Sequence, residues 1–413
     1  MKAIQVPRRF VREEWGGTET VILETAKRLP DFGVEAGVVC PNALASTDEE
    51  EIEGVSVRRF PYFYPYWGLG REAIGRLNRK GGNLFSFPLL RHLRAEPDLG
   101  LIHLHTGKRL GGICRHVARQ RGIPYVISVH GGVIDVPKSE ADTWTNPTRG
   151  TIEWGKVLGF WYGSRRVFDD AAAILCVDYE ETAKMAARYP GKRVLHLPNG
   201  VDPQRFAGGD RARFRARFGL AEDTTMLLNV SRIDHQKNQQ LAVDILARLL
   251  AEDKPVHLVL IGPVTNPAYH DELQKTISSQ GLADRVTIIP GLPPGDPLLA
   301  DAYQAADAFL LTSLHEPFGI VILEAWAAGC PVVTTSVGGI PHFTLDGEDA
   351  LRFPTGDAAG GARQVSRLMA DPASARCLAE RGRQKAVETY SWGRITGQLA
   401  ALYEEVCAAG KGR

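Results

Sequence analysis

The chain has 413 residues, too many for one ordinary core, so two domains are expected. Its 49 basic and 48 acidic residues leave a formal net charge of +1, which argues against a nucleic-acid partner. Six scattered cysteines (Cys40, Cys114, Cys176, Cys330, Cys377 and Cys407) include no Cys-x-x-Cys pair, which points to reduced thiols in a cytoplasmic protein and away from a disulfide frame or zinc site.

The N-terminus enters a short apolar run, KAIQV, at once and lacks the long core of a signal peptide. No apolar stretch approaches the roughly 20 residues needed to cross a bilayer. A cytoplasmic protein is expected, with attachment to the inner face of the plasma membrane as the most the composition allows. After KAIQV comes REEWGGTE, where Gly16 and Gly17 let the backbone approach a phosphate at a helix start. It is not the Gly-x-Gly-x-x-Gly fingerprint, so a dinucleotide-dependent dehydrogenase is disfavoured.

Through the first half, EAGVVC, VSVRRF, LGLIHLH, YVISVH, AAAILCV and RVLHLP continue as candidate strands, with helical patterns such as GTETVILETAKRL between several of them. Buried, branched-rich strands alternating with helices predict a parallel sheet covered on both faces. The acidic run Asp48 to Glu51 is expected to be a solvated turn. FPYFYPYWG follows VSVRRF and places Tyr62, Tyr64, Tyr66 and Trp67 in one aromatic stretch, and GFWYG (159–163) is a second. Aromatic faces suit sugar rings or a lipid–water interface. Arg71, Arg76, Arg79, Lys80, Arg91 and Arg94 suit anionic lipid or a phosphorylated acceptor, with a packed loop beside a solvated basic helix as the competing reading. His103 and His105 alternate on LIHLH; no third metal ligand is evident, so a structural role is expected. VISVHGG places His130 at a strand end, where a hydrogen-bonding or general-base role in a cleft competes with a structural one. An esterase oxyanion loop would need a Gly-x-Ser-x-Gly elbow, and there is none. GTIEWGKV imitates a Walker A loop but has Val157 where Ser or Thr must hold magnesium.

LPNGVDPQRF breaks the rhythm with turn formers, and the alternation restarts with MLLNVSR, VHLVLIG, VTIIPG, AFLLTS and PVVTTS. The domains are therefore expected at 1–202 and 203–389, two Rossmann-like doubly wound units, with 390–413 as a last amphipathic helix returning to the first domain. Ligands of such sheets bind beyond the strands' carboxyl ends, which for two facing units is the cleft between them. Arg232 and Lys237 follow MLLNV and suit a diphosphate clamp, against an ordinary basic loop. In HEPFGIVILEAWAAG, Pro317 suits a first helical turn, leaving the N–H groups of Phe318, Gly319 and Ile320 free for phosphate. Glu316 and Glu324 are then eight residues apart, about 80° around a helix, and can border one pocket. A carboxylate deep in an apolar run makes sense as an acceptor from ligand hydroxyls.

Taken together, WGGTE, VHGG, LPNGVD, Arg232 with Lys237, EPFGIVILEA and YSWGRITGQLAALYEE resemble the retaining GT-B glycosyltransferases of family 4 over almost the whole chain. The resemblance implies transfer of a hexose from a nucleotide-diphosphate sugar, with UDP the default, to a sugar, lipid-linked or small-molecule acceptor. It implies no further cofactor and no metal. Glu316 would hold donor-sugar hydroxyls, aided by the backbone N–H groups of Phe318 to Val321, and Glu324 the ribose. Arg232 and Lys237 would clamp the diphosphate, Gly16 and Gly17 close over the donor phosphates, and His130 lie near the sugar's reactive face. Gly262, Pro263 and the backbone at Ile289 to Gly291 would hold the base. The acceptor side is expected at Tyr62 to Trp67. An epimerase or phosphorylase on the same fold, and a non-catalytic nucleotide-sugar regulator, are the alternatives.

Overall fold

A computed structural model describes residues 1–12, 15–79, 81–131, 146–293 and 295–411. Glu13, Glu14, Lys80 and Gly132, which belong to the motifs above, lie outside the described residues. The chain forms two compact units: Met1–Pro198 with the tail from Trp392, and Asn199–Ser391. Residues ahead of Pro203 already belong to the second unit, because the Val201 N–H donates to the carbonyl of Tyr390 (2.8 Å).

The first unit is built on an eight-stranded sheet in the order Val194–His196, Ala173–Cys176, Tyr125–Val129, Leu99–Leu104, Lys2–Val6, Glu35–Pro41, Val55–Phe60, Glu49–Ile52. All pairings are parallel except the last. That last strand corrects the expected acidic turn. Glu53 and Gly54 both take positive φ (47° and 83°), the geometry of a tight hairpin turn. Glu49 then stands opposite Arg58, and Arg59 pairs with Glu50, so two of the four acids in the run are paired by the strand beside them.

The tail helix Trp392–Lys411 lays Leu399, Leu402, Tyr403 and Val406 on Ala3, Leu101, Val126 and Leu175 of this sheet, with Ile395 also buried. Its apolar positions recur at helical spacing, which is why one face is consumed by the sheet.

The second unit has a six-stranded parallel sheet in the order Val286–Ile289, Val256–Ile261, Thr225–Val230, Ala308–Leu311, Val332–Thr335, Leu351–Phe353. Helix Ile320–Ala327 buries Ile322, Leu323 and Trp326 against it. This helix begins later than expected: Gly319 caps it with φ of 91°, so Pro317 and Phe318 precede the first turn. Gly329, at φ of 71°, ends it in the left-handed conformation. In each sheet the strand order reverses beside the central strand, between Lys2–Val6 and Leu99–Leu104 and between Thr225–Val230 and Ala308–Leu311. Loops at the carboxyl ends of those strands are where an open α/β sheet binds its ligand.

Candidate active site

In the second unit the loop after Thr225–Val230 and the loop after Ala308–Leu311 are tied together. Thr312 Oγ1 donates to the carbonyls of Lys237 (3.2 Å) and Asn238 (2.9 Å), and the Leu314 N–H donates to the Gln236 carbonyl (2.8 Å). The lacing brings Lys237 Nζ to Glu316 Oε2 at 2.5 Å, with both side chains largely buried. Lys237 is therefore paired with a carboxylate, where the spacing of the sequence had left it an open cation. Arg232 stays half exposed, held by Asp234 at 3.2 Å and by Gln236 at 3.1 Å. Asp234 also accepts from the Lys237 N–H and from Thr265 Oγ1, both at 3.1 Å, so one acidic side chain sets the shape of the loop.

Glu316 lies outside the helix, so the 80° helical relation to Glu324 does not hold; the two glutamates have separate partners. The Glu316 carbonyl accepts from the Gly339 N–H at 2.9 Å. A Cβ on Gly338 would stand 2.1 Å from that carbonyl oxygen, which explains a glycine there. Glu324 accepts from the Tyr303 hydroxyl at 2.7 Å. Burial pushes the Glu324 carboxyl up from its ordinary range, and the Tyr303 hydrogen bond and the Arg205 charge offset this only in part. Gly262, Pro263 and Gly291 adjoin Arg232. The Gly262 N–H donates to Ile289 and the Ile233 N–H to Pro263, and Gly291 packs on the Pro263 backbone. Any side chain at Gly262 would meet the Ser231 carbonyl at 1.9 Å.

In the first unit, Gly16 is the N-cap of helix Gly17–Ala26. The buried Glu19 carboxylate occupies that helix start, accepting from the backbone N–H groups of Gly16 and Glu19 itself. Its pKa is raised by burial in spite of these bonds and the nearby Arg9 and Arg8.

His130 ends a chain of buried and half-buried side chains. Gln5 Nε2 donates to the Tyr403 hydroxyl (3.0 Å), and Gln5 Oε1 faces His105 Nε2 (2.7 Å). An amide oxygen only accepts, so His105 carries its proton on Nε2 and leaves Nδ1 bare. His105 Nδ1 lies 2.8 Å from His130 Nε2, which must then be the donor. His130 Nδ1 is consequently an acceptor. On the other branch the Tyr403 hydroxyl donates to His103 Nδ1 (2.6 Å), and His103 Nε2 donates to Ser128 Oγ (2.7 Å). Burial keeps all three rings neutral, lowering His103 to about 3, His130 to about 4 and His105 well below the usual histidine range. No group of histidine, cysteine and carboxylate side chains suited to a metal occurs among the described residues.

The tyrosines proposed for an acceptor divide. Tyr62 and Tyr64 turn inward, both donating to Asn78 Oδ1 (2.6 and 3.0 Å), and Tyr66 donates to Glu153 (3.2 Å). Trp67 alone of the four is exposed. Sequence reasoning missed Gln5, Tyr403, Tyr303, Asp234 and Gln236. Gln5 had a visible signal, a polar residue inside a buried strand; Tyr303 and Tyr403 look like ordinary core aromatics.

Residues 210–385 match the family model described as "Glycosyl transferases group 1", and residues 16–200 match the "Glycosyl transferase 4-like domain". The D-inositol 3-phosphate glycosyltransferase of Geodermatophilus obscurus is 30% identical over 95% of this chain and 86% of the relative. That of Actinosynnema mirum is 32% identical over 94% and 92%. Among solved structures, sucrose-phosphate synthase from Thermosynechococcus elongatus superposes with a TM-score of 0.72 at 21% identity, covering 99% of each chain. Anabaena Alr3699/HepE in complex with UDP and glucose gives 0.71 at 19% identity over 98% of this chain and 100% of its own.

Proposed function

The chain belongs to the group 1 glycosyl transferases and has their GT-B fold, and from that premise we propose that it moves a hexose from a nucleotide-diphosphate sugar to an acceptor hydroxyl with retention of configuration. The observation that carries this reading is the Lys237–Glu316 pair beside Arg232, at the point where the second sheet reverses its strand order. Two cations and a carboxylate there suit a ligand with a diphosphate at one end and hydroxyls at the other.

As the bond from the sugar's anomeric carbon to the diphosphate oxygen breaks, negative charge grows on the leaving group and the sugar becomes oxocarbenium-like. Arg232 and Lys237 stabilise the growing negative charge, as donors aimed at developing charge do. Backbone N–H groups between Phe318 and Val321 add to them, at a helix start preceded by Gly319. Glu316 then exchanges its lysine partner for sugar hydroxyls, and Glu324 holds the ribose. Gly16 and Gly17 are assigned to the donor phosphates, Gly262, Pro263 and Gly291 to the base, and the acceptor hydroxyl's proton to the departing phosphate. His130 Nδ1, the bare nitrogen, accepts a hydrogen bond from a sugar hydroxyl. With two cations at the diphosphate, turnover is expected to persist in a chelator.

Thermal melting against UDP-, GDP- and ADP-sugars tests the reading, since a ligand at 100 times its dissociation constant adds roughly 2.7 kcal/mol. UDP-glucose comes first, because UDP and glucose are what the HepE structure holds. D-inositol 3-phosphate, for which the relatives are named, is the first soluble acceptor to try. Anomer assignment of the product by NMR tests retention. Unchanged melting with every nucleotide sugar, together with no turnover, would remove the proposal.

A further inference from the structure

Phe160 (83% exposed) and Trp161 (71%) are the most exposed large hydrophobic side chains among the described residues, followed by Ile152 (65%) and Trp67 (64%). These four, with Val157, come from two short pieces of the first unit. Trp67 stands directly opposite Ile152 in the two-stranded ribbon Tyr66–Trp67 and Ile152–Glu153, so both side chains leave the same face. The helix Lys156–Trp161 follows after two residues. Val157, Phe160 and Trp161, at i, i+3 and i+4, share its outer side, while Leu158 packs toward the core.

The amphipathicity of this ribbon is inverted. Its inward pair, Tyr66 and Glu153, is hydrogen-bonded, Glu153 forms an ion pair with the buried Arg109, and the Arg109 guanidinium lies 5.6 Å from the Tyr66 ring centre. The charge faces in and the tryptophan and isoleucine face out. The arrangement is also fixed: the Gly155 N–H donates to the Pro65 carbonyl (3.1 Å), and a Cβ at Gly155 would strike Pro65 and Arg109. A surface held rigidly with its aromatic residues in solvent marks a place where something else supplies the apolar neighbour.

The surrounding charge indicates what that is. From Asn146 to Asp170 the cations are Arg149, Lys156, Arg165 and Arg166, all exposed; of the acids, Glu153 faces inward, Asp170 is paired with Arg115 and Arg166, and Asp169 is exposed. Arg166 reaches Asp170 at 3.4 Å but keeps most of its side chain in water. A second copy of the chain related by a two-fold axis would set these cations against themselves. A neutral glycan would stack on the rings and leave the cations without a partner. An anionic phospholipid surface satisfies both, with aromatic rings at headgroup depth and cations on phosphate. No helix among the described residues is long and apolar enough to cross a membrane, so the contact is one of surface seating.

We propose that the Trp67–Ile152 ribbon and the helix Lys156–Trp161 are an interfacial anchor that seats the first unit on an anionic phospholipid surface. This does not depend on which donor or acceptor the enzyme uses.

The test is sedimentation of the full chain with vesicles of equal parts phosphatidylglycerol and phosphatidylcholine, and with phosphatidylcholine alone. The wild type is expected to bind the mixed vesicles and to be released by salt. Phe160→Ser with Trp161→Ser should weaken binding by roughly tenfold or more, as losing two buried aromatic side chains implies. Arg165→Glu with Arg166→Glu should erase the preference for phosphatidylglycerol. Both variants change exposed residues, so melting temperature and turnover on a soluble acceptor should stay at wild-type values. Failure of the wild type to sediment with mixed vesicles overturns the proposal. So does a wild-type dimer, measured by light scattering without lipid, that the Phe160→Ser, Trp161→Ser variant converts to monomer.

Discussion

His105 holds His130 through one hydrogen bond, 2.8 Å from Nδ1 to Nε2, and the direction of that bond is decided by Gln5. Turning the Gln5 amide over would reverse each donor along the chain and put a proton on His130 Nδ1. Gln5→Leu removes the device while keeping the side chain's size. The expected result is a shift of the His130 ring toward a mixture of tautomers, read from ring-nitrogen NMR. Turnover should fall about 10- to 100-fold, the usual cost of losing an outer-shell partner. A His130 ring spectrum identical to the wild type would show that Gln5 only fills space.

The same buried rings make stability depend on pH. Their folded pKa values lie below the ordinary histidine value, to about 3 for His103 and about 4 for His130, so the unfolded chain binds more protons between those values and about 6.5. Stability should be at its plateau above about pH 6.5 and fall as the pH drops toward 4. His103→Gln should flatten that slope by about one proton, measured as melting temperature against pH, even if it lowers the plateau. An equal slope in the variant would show that His103 is not among the groups responsible.

Arg232 is half exposed, and on the proposed reading it acts only when a diphosphate is bound. Arg232→Ala is expected to reduce kcat by roughly 10²- to 10³-fold, with the melting temperature of the free protein little changed. Wild-type turnover would end its assignment to the leaving group.

Tyr303 supplies the hydrogen bond to a carboxylate whose pKa burial already raises. Tyr303→Phe should cost about 1–3 kcal/mol in stability, the usual price of an unsatisfied buried acceptor. If Glu324 grips the ribose, as proposed, it acts on bound substrate and transition state alike, so the donor KM should rise with kcat nearly constant. A fall in kcat at constant KM would move Glu324 from the ribose to the reacting sugar.

Most of the architecture is legible in the sequence because buried parallel strands are short, apolar and regularly spaced; the strands from Lys2–Val6 to Val332–Thr335 stand out this way. What escapes is set by neighbours distant in the chain. Glu49 to Ile52 looks like a solvated turn until Arg58 and Arg59 are laid beside it. Pro317 looks like a helix start until the positive φ of Gly319 postpones the first turn. The donor-site candidates were readable as types in loops, Arg232, Lys237 and Glu316 among them. Their pairing was not, because Lys237 and Glu316 meet only through the lacing of two loops 79 residues apart. Tyr403 is further still, 398 residues from the glutamine it contacts.

That last separation has a consequence for how the chain comes to be folded. The second unit is one continuous stretch, Asn199–Ser391, and has all its strands once it leaves the ribosome. The first unit, though synthesised earlier, leaves Ala3, Leu101, Val126 and Leu175 uncovered until Leu399, Leu402 and Tyr403 emerge. Its sheet must wait through the synthesis of the whole second unit with an apolar face open, the condition under which nascent chains recruit chaperones. Order of birth and order of completion are therefore opposite in this enzyme.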